Sequence, residues 1–340
     1  MAPRDPGLTV PGADILVVSV DSTGGWTAAA RDLAAAFSRA GAEVRSVSTG
    51  PVPQVRTFAL TDFVQARLAR QACRRGLAEH RPAAIVYCSI TATLLWPAPG
   101  AIWLDTIAAE NRPGRHGVWQ RIVERRRLAQ APLVLTMSPR SLEPLRGTRP
   151  DAVVVPSPVE RSAGTLAPLP ARDVTVLTYA GNPAKKRLDF ILSAWSRVRR
   201  SEEQLVVAGT DRGESADGVQ MAGRLDPAEY RALLRRARVF VAAPTREDYG
   251  IAPLEALADG CLLVTTPAPG PYPALDLARE LDPRLVDEDI GRALRTALDD
   301  PLPGYAERAR ELLAPFRPAA VDRTLAERVL PVLVPGLRAA

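Results

Sequence analysis

The chain of 340 residues exceeds the length at which one hydrophobic core usually keeps growing, so we expect two domains. It is 46% hydrophobic and 24% charged, as soluble globular proteins are, and its three cysteines are too widely spaced for a disulfide framework or a zinc site. The net charge of +6 is uneven, because residues 1–165 carry 20 arginines against 13 acids and the remainder is almost neutral.

The sequence gives no sign of export or membrane insertion. The first residues lack a basic segment followed by an apolar run, so we expect no secretory signal. No uninterrupted apolar stretch approaches the roughly 20 residues that span a bilayer. We therefore expect a soluble, cytoplasmic protein.

Strand-like and helix-like segments alternate through the first 155 residues. The strand-like segments are short, nearly continuous apolar runs, which are typical of parallel strands covered on both faces. We predict strands at 14–20, 43–48, 83–88, 101–104, 133–137 and 152–155. We predict helices at 26–40, about 60–79 and 117–130, the first of them ended by Gly41.

A linker and a second alternating series follow. Residues 156–172 are rich in proline and poor in large apolar side chains, which indicates a linker. Beyond it we predict strands at 174–180, 204–209, 238–243 and 261–266, and helices at about 187–200, 227–237, 253–259 and 287–299. The pattern predicts an α/β protein with two doubly wound, Rossmann-like parallel sheets. The domains would span 1–160 and 161–317, with a last helix in 318–340 crossing the domain junction.

Ligands of open parallel sheets bind beyond the carboxyl ends of the strands, and three such ends carry unusual residues. The first is Ser22-Thr-Gly-Gly25, where Gly24 and Gly25 would let backbone N–H groups approach an anion at a helix N-terminus. A plain tight turn explains two glycines equally well. The segment matches neither the dinucleotide-binding glycine pattern nor a phosphate loop.

The second strand end is Tyr179-Ala-Gly-Asn-Pro-Ala-Lys-Lys-Arg187. A strand ends near Gly181, and the cations Lys185, Lys186 and Arg187 then precede a helix. Three positive charges at a strand-to-helix turn suit a diphosphate without a metal. The alternative is an exposed basic turn. Lys185 and Lys186 are also the sole lysines of the chain.

The third strand end is Glu247-Asp-Tyr-Gly-Ile-Ala-Pro-Leu-Glu255. Glu247 follows an apolar strand, and Gly250 allows a close approach of the backbone to a ligand. The N–H groups of Gly250, Ile251 and Ala252 would lie at a helix N-terminus, with Glu255 one turn further on. The two carboxylates could each bind a pair of vicinal hydroxyls. Alternatively, Glu247 is a surface acid and Glu255 a partner of the helix dipole.

The run from Arg246 to Gly260 closely resembles the Glu-x7-Glu signature of family-4 retaining glycosyltransferases, which have the two-domain GT-B fold. The resemblance extends to Tyr179-Ala-Gly with Lys186, to Leu205-Val-Val-Ala-Gly209 and to Val219-Gln-Met-Ala-Gly223. It is looser in the first domain, at Gly24-Gly25 and at Val153-Val-Val-Pro-Ser-Pro-Val159. The resemblance implies transfer of a sugar from a nucleoside diphosphate sugar to an acceptor, with retention and without a metal or other cofactor.

The resemblance also implies a role for each matching position. Glu255 would bond the ribose hydroxyls of the donor, and Glu247 would contact the transferred sugar near its reacting carbon. Lys186, with Lys185 or Arg187, would hold the diphosphate. Backbone N–H groups at 250–252 and at Gly24-Gly25 would complete the contacts to phosphate and sugar.

Two positions depart from the family pattern. Asn182 stands where the family has an arginine, so Lys185 or Arg187 would have to supply that charge. Asp105 stands at the strand end where the family has a histidine. Asp105 could bond a sugar hydroxyl or cap its loop, and facing the anomeric carbon it would be a candidate base for inverting chemistry. The proline-rich segment 267–273 suggests a narrower pocket.

Predictions about the acceptor, and about functions other than glycosyl transfer, depend on weaker sequence signals. The arginine cluster of Arg112, Arg115, Arg121, Arg125, Arg126 and Arg127 could meet an anionic membrane, a phosphate-bearing acceptor or only solvent. We expect no nucleic-acid partner, because aromatic residues are not interleaved with these arginines. Helix 117–130 could touch the inner face of a membrane. A catalytically silent nucleotide-binding subunit and another GT-B enzyme, such as an epimerase or a phosphorylase, remain alternative interpretations.

Overall fold

The computed structural model describes residues 12–52, 57–162, 168–211, 213 and 215–337. The chain divides into two compact units, Met1–Pro158 with Pro318–Ala340, and Val159–Arg317. The described residues do not include 1–11, where the absence of a secretory signal was expected, nor 163–167 of the predicted linker. Within the described part of the chain, no helix is both long enough and apolar enough to span a membrane.

The first unit is built on a six-stranded parallel sheet with the strand order β2-β1-β3-β4-β5-β6. Its strands are β1 (Ile15–Asp21), β2 (Val44–Pro51), β3 (Ala84–Cys88), β4 (Ala101–Leu104), β5 (Val134–Thr136) and β6 (Val153–Val154). The helices between them are α1 (Gly24–Arg39), α2 (Phe58–His80), α3 (Ile90–Thr93), α4 (Ala108–Asn111), α5 (Val118–Gln130) and α6 (Pro139–Leu142). The central strands are buried on both faces, as their continuous apolar runs predicted.

Close packing of α2 against the sheet depends on one glycine. A Cβ atom at Gly76 would lie 2.9 Å from the side chain of Leu16 in β1, so a larger residue would push the helix away from the strand. Across the sheet, the indole nitrogen of the fully buried Trp103 donates to the carbonyl of Val155 at 2.8 Å. That bond satisfies the one polar group of a large core side chain.

The C-terminal segment belongs to the first unit. It contains α13 (Pro318–Thr324), a π-helical turn at Leu325–Val329 and α14 (Leu330–Leu333). Arg39, in the last turn of α1, donates to both carboxylate oxygens of Asp322, at 2.7 and 2.9 Å. This bidentate pair fixes α13 against α1.

The second unit is built on a five-stranded parallel sheet with the strand order β11-β10-β7-β8-β9. Its strands are β7 (Val174–Tyr179), β8 (Leu205–Ala208), β9 (Val219–Gly223), β10 (Ala237–Ala242) and β11 (Leu262–Thr265). Its helices are α7 (Leu188–Val198), α8 (Pro227–Arg236), α9 (Ile251–Ala258), α10 (Pro273–Leu281), α11 (Ile290–Asp299) and α12 (Tyr305–Leu312). The prediction of two parallel-sheet α/β domains is therefore confirmed.

Strand order decides which loops of the second unit meet. β7 and β10 are hydrogen-bonded neighbours and run parallel, so the segments that follow Tyr179 and Ala242 lie side by side. The main-chain N–H of Thr245 donates to the carbonyl of Lys185 at 2.9 Å and ties the two segments together. Residues about 60 positions apart in the sequence thus share the carboxyl edge of the sheet.

Candidate functional site

The turn after β7 presents its cations in different ways. The side-chain oxygen of Asn182 accepts from the N–H of Lys185 at 3.1 Å, and its carbonyl accepts from the N–H of Lys186 at 3.0 Å. Asn182 therefore closes the turn. Arg187 has a left-handed backbone (φ 51°) and places its guanidinium 4.0 Å from the ring centre of Phe190, while Lys185 is exposed. Arg187 is thus a stacked cation, and Lys186 is the one that points across the sheet edge.

Lys186 and Glu247 form an ion pair at this edge. The ammonium of Lys186 donates directly to a carboxylate oxygen of Glu247. The two side chains are 27% and 15% exposed, so both are partly withdrawn from water but still reachable. In this shielded position the attraction between the two charges is stronger than between fully solvated ones. Lys186 also lines a small pocket with Tyr179, Phe240, Ala243, Ala252 and Pro253.

The backbone of Glu247 is held by the proline-rich segment that follows β11. Its N–H donates to the carbonyl of Pro269 at 3.0 Å. Gly270 has a φ of 112°, and a Cβ there would lie 2.2 Å from the carbonyl oxygen of Glu247. This contact is possible because Gly270 has no side chain. The proline-rich segment 267–273, from which the sequence suggested a narrower pocket, therefore holds the backbone of Glu247.

Helix α9 begins at the carboxyl edge of the second sheet, and its N-terminus has no side-chain cap. Gly250 precedes the first turn with a φ of 81°, a conformation that favours glycine, and no side chain caps the helix. The N–H groups of Ile251 and Ala252 lie in the first turn, where no preceding helical carbonyl can accept them. Ala252 lines the same pocket as Lys186. This helix end can therefore bind an anion beside the lysine.

Glu255 lies one turn further along α9 and is 27% exposed. One of its oxygens is 3.3 Å from Nη1 of Arg231, which comes from α8. Arg231 also pairs with the buried Asp259 at 3.0 Å. Glu255 therefore has a cationic partner that the sequence did not predict.

Two tyrosines cover the ends of β7 and β8. The ring of Tyr179 lies 5.4 Å from that of Tyr230, and a Cβ at Gly209 would come within 2.5 Å of the Tyr179 ring. The hydroxyl of Tyr230 is buried without a hydrogen-bond partner. Burial, and secondarily the charge of Glu255, raises the pKa of Tyr230 well above its usual range, so the phenol stays neutral. Tyr179 is left as a 36% exposed aromatic surface.

The predicted residues of the first unit lie along the carboxyl edge of its own sheet. Gly24 and Gly25 form the first turn of α1, and the hydroxyl of Thr23 caps that helix by accepting from the N–H of Trp26 at 3.2 Å. Both glycines are exposed, and a Cβ at Gly24 would meet no atom within 4 Å. The N–H of Trp26 is thus bonded within the cap, which leaves those of Gly24 and Gly25 as the candidates for an anion, and crowding does not require glycine at position 24.

Asp105 follows β4 and is engaged by its own turn. Its carboxylate accepts from the N–H of Thr106 at 2.8 Å, and its carbonyl accepts from the hydroxyl of Ser141. Nearby, Ser89 at the end of β3 has a φ of 112°, an unusual conformation for a residue other than glycine. Asp105 has the geometry of a local cap, one of the three roles that the sequence left open.

The arginine cluster is partly structural. Arg112 forms a bidentate pair with the buried Asp62, at 2.8 and 3.1 Å. Arg121 donates to main-chain carbonyls, and Arg127 lies 5.0 Å above the ring of Trp96. Arg125 and Arg126 remain exposed on α5. The cluster therefore contributes fewer exposed charges than the sequence indicated.

Apolar side chains are exposed beside those two arginines. On α2, Leu60 and Phe63 are each 44% exposed, and on α5, Val118 and Ile122 are 44% and 41% exposed. The ring of Phe63 lies 6.4 Å from that of Trp119, which joins the two helices into one surface. We call these five residues the α2–α5 surface. The contribution of α2 was not predicted.

Within the described residues, no group of three or more His, Cys, Asp and Glu side chains is placed to hold a metal. The structure brings Lys186, Glu247, the start of α9 and Glu255 to one edge of the second sheet. Gly24, Gly25 and Asp105 occupy the carboxyl edge of the first sheet. Sequence reasoning missed Arg231 and Asp259, although an acid between apolar residues at the end of α9 was a usable signal of a buried charge.

Both units are parallel-sheet α/β domains, as in the GT-B fold that the sequence resemblance implies. Residues 174–300, which lie in the second unit, match the family model described as glycosyl transferases group 1. The matched region includes Lys186, Glu247 and Glu255.

Similar proteins agree with this assignment of the fold. A phosphatidyl-myo-inositol mannosyltransferase from Propionibacterium freudenreichii subsp. shermanii is 29% identical over 159 residues, which are 42% of this chain and 39% of that protein. The match thus spans about two fifths of that relative's length. WaaG, a glycosyltransferase involved in lipopolysaccharide biosynthesis, superposes with a TM-score of 0.66 at 14% identity, covering 95% of this chain and 100% of that one. HepE of Anabaena, in complex with UDP and glucose, gives a TM-score of 0.58 at 13% identity, covering 92% and 98%.

Proposed function

We propose that the protein is a glycosyltransferase that moves a sugar from a nucleoside diphosphate sugar to a hydroxyl-bearing acceptor. The observation that carries the proposal is the pairing of Lys186 with Glu247 beside the start of α9. A cation, a carboxylate and a helix N-terminus at one sheet edge can bind a diphosphate and a sugar next to each other. The match of residues 174–300 to glycosyl transferases group 1 supports the proposal.

The diphosphate would bind between Lys186 and the first turn of α9. In the structure, the ammonium of Lys186 pairs with the carboxylate of Glu247. An arriving diphosphate would take over the ammonium and release Glu247 toward the sugar. Lys185 would attract the diphosphate from the exposed side of the turn. Arg187, whose guanidinium stacks on Phe190, would attract it from a longer distance. These cations and the N–H groups of Ile251 and Ala252 would stabilise the departing diphosphate, so we propose transfer without a metal.

The remaining donor contacts follow from position along α9. Glu255, one turn beyond the phosphate-binding N-terminus, would accept hydrogen bonds from the ribose hydroxyls. Glu247 would contact the sugar near its reacting carbon. Gly24 and Gly25 would contribute N–H groups from the first unit. HepE, a structural relative, was crystallised with UDP and glucose, which supports this class of donor.

We propose retention of the anomeric configuration. The carboxylate of Asp105 already accepts from its neighbouring N–H, which supports a role in holding its turn rather than in taking a proton. Asp105→Asn preserves that acceptor, so we expect turnover to fall less than about tenfold. NMR of the first-formed product would show the donor's configuration. Inverted product together with an inactive Asp105→Asn variant would make Asp105 a general base and contradict retention.

The proposed activity is tested with a panel of nucleotide sugars. The wild-type protein should release nucleoside diphosphate from one of them, by hydrolysis or by transfer. Glu247→Gln should lose turnover at least about a hundredfold, as removal of a group acting at the reacting centre does, while still binding the nucleoside diphosphate. Glu288→Gln, on the exposed segment before α11, is the matched control and should leave turnover unchanged.

Two results would contradict the activity. Nucleotide binding without turnover of any donor would favour a silent nucleotide-binding subunit. A donor converted by itself into an isomer would favour an epimerase.

We further propose that the α2–α5 surface contacts an anionic membrane. On α2 and α5 the acids are Asp62 and Glu124, which are buried, and Glu79, which is exposed in the last turn of α2. The exposed charges in the parts of these helices that carry the α2–α5 surface, Arg67, Arg125 and Arg126, are positive. Exposed apolar side chains bordered by arginines suit a surface of anionic lipid. The similar mannosyltransferase is named for a phosphatidyl-myo-inositol, which supports a lipid acceptor.

Cosedimentation with vesicles of phosphatidylglycerol and phosphatidylcholine at low salt tests this contact. The wild-type protein should sediment with anionic vesicles, and less so with vesicles of phosphatidylcholine alone. Replacing Phe63 and Ile122 by serine should weaken binding. Val332→Ser, at a side chain that is 50% exposed on α14, is the control and should not. Equal sedimentation of the two variants, or none of the wild type, would contradict the contact.

A further inference from the structure

A buried ion network lies beneath Glu255. Asp259, at the end of α9, is fully buried. Its carboxylate accepts from the N–H of Ser162 at 2.8 Å and from the Ser162 hydroxyl at 2.6 Å, and it pairs with Nε of Arg231 at 3.0 Å. A buried carboxylate is costly unless it is both paired and hydrogen-bonded. Asp259 therefore requires a cation at this place, and Arg231 supplies it.

The guanidinium of Arg231 has a separate partner for each nitrogen. Nε faces Asp259 and donates to the Ser162 hydroxyl at 2.9 Å, and Nη2 donates to the carbonyl of Glu160 at 2.6 Å. Nη1 is left facing Glu255, at 3.3 Å. Because a guanidinium is planar and rigid, two anchored nitrogens fix the direction of the third. A lysine ammonium also has three donors, but it is compact and lacks the fixed planar spread that reaches these partners in different directions.

Glu255 and Asp259 lie four residues apart on α9, so they share one face of the helix. Arg231 bridges them, binding Asp259 inside the unit and Glu255 at its rim. Nη1 approaches one oxygen of Glu255 at 3.3 Å, and a carboxylate has about four acceptor positions. The Glu255 side chain remains 27% exposed, so a ligand can reach it.

We infer that Arg231 is a positioning residue that orients the Glu255 carboxylate for the ribose hydroxyls of the donor. The inference rests on the proposed function, because it takes Glu255 as the ribose contact. A carboxylate that binds vicinal hydroxyls must be charged and must hold one rotamer. Arg231 supplies a fixed positive charge and a fixed direction, and Asp259 holds Arg231 in place. Asp259 therefore contributes to nucleotide recognition without touching the nucleotide.

Two roles of Arg231, structural support and orientation of Glu255, predict different effects of its loss on nucleotide binding. If Arg231 only held the segment 160–162 against α9, its loss would weaken the binding of every nucleotide alike. If it orients Glu255, its loss should weaken the binding of nucleotides that carry ribose hydroxyls and spare those that lack them. The affinity ratio between the two forms is therefore the diagnostic quantity.

The variants must remove the cation without leaving an unpaired buried charge. Arg231→Met alone would strand Asp259 and can unfold the unit. The double variant Arg231→Met/Asp259→Asn removes both charges, and asparagine keeps an oxygen for the N–H of Ser162. Arg231→Lys keeps the positive charge but loses the planar arrangement of guanidinium donors. Arg236→Met, on the same helix and paired with the exposed Asp173, is the control.

Calorimetry would measure the affinity for UDP, GDP and their 2′,3′-dideoxy counterparts. We expect the wild type and Arg236→Met to prefer the ribose form of the bound nucleotide by about tenfold or more, as for hydrogen bonds to a charged group. The double variant should lose about tenfold in affinity for the ribose form and none for the dideoxy form, with Arg231→Lys in between. An equal loss for both forms, or no loss, would overturn the inference alone. A wild type that binds neither nucleotide would overturn the proposed function itself.

Discussion

Glu124 is a buried acid of the first unit, and its ionisation should make the stability of the protein depend on pH. It lies on α5, is 3% exposed, and accepts from the N–H of Ala108 at 2.6 Å. Ala108 begins α4, three residues beyond Asp105. Burial raises the pKa of Glu124 from 4.5 to about 7, and the bond from Ala108 and the charge of Arg112 oppose that rise only in part.

The sign of the effect on stability follows from this direction. The folded chain holds the Glu124 proton more tightly than the unfolded chain does, so stability rises as the pH falls through 7 toward 4.5. Above pH 7 the folded protein must carry a buried charge. Between pH 8 and pH 5, Glu124 should therefore add about 2.5 kcal/mol to the free energy of unfolding.

The perturbation is Glu124→Gln, which has the same shape, keeps an oxygen for the Ala108 N–H and cannot ionise. Denaturant unfolding of both proteins at pH 8, 7, 6 and 5 gives the difference in their free energies of unfolding. We expect that difference to shift by about 2.5 kcal/mol in favour of the wild type as the pH falls from 8 to 5. Any cost of the buried amide is the same at every pH and does not affect the shift. A difference that is independent of pH would refute the reasoning.

Two further predictions concern the second unit. Lys186→Met should weaken the binding of nucleoside diphosphate about ten- to a hundredfold, because a charged contact is lost and Glu247 is left to repel the phosphates. Calorimetry measures this affinity. An equal effect of Lys185→Met, whose side chain is exposed, would contradict the assignment of Lys186 as the main phosphate contact. Gly270→Ala should lower the free energy of unfolding by about 2 kcal/mol or more and displace Glu247, because of its φ of 112° and the contact of 2.2 Å. Gly304→Ala, with a φ of 71° and no atom within 4 Å, should cost only about 1 kcal/mol, and equal losses in denaturant unfolding would contradict the steric argument.

The sequence predicted the sheets well because a strand buried on both faces needs a continuous apolar run. Segment 101–104 matched the strand bounds in the structure, and the other predicted strands differed by one to three residues. The partly buried β9 (Val219–Gly223) was not among the strands predicted from apolar runs. The helix Pro273–Leu281 was missed because the proline-rich stretch before it indicated only a loop. Pro273 occupies the first turn, where the missing N–H costs nothing, so the proline begins a helix rather than preventing one.

The candidate site was predictable to the extent that it depends on strand ends. Lys186 and Glu247 each follow a strand, and parallel strands bring their carboxyl ends to one edge. The network of Arg231 was not predictable, because its partners Ser162 and Asp259 come from distant segments and meet only in the folded unit. Similarly, charge counting could not show that Arg112 is neutralised by Asp62, 50 residues earlier.

A crystal structure of the protein soaked with UDP or GDP would show whether a nucleoside diphosphate binds at the carboxyl edge of the second sheet. We predict that the diphosphate lies within hydrogen-bonding distance of the Lys186 ammonium and the first turn of α9. It also predicts the ribose hydroxyls on Glu255, with Arg231 still behind that carboxylate. A nucleotide bound elsewhere in the chain, with the pair of Lys186 and Glu247 unchanged, would contradict the claim.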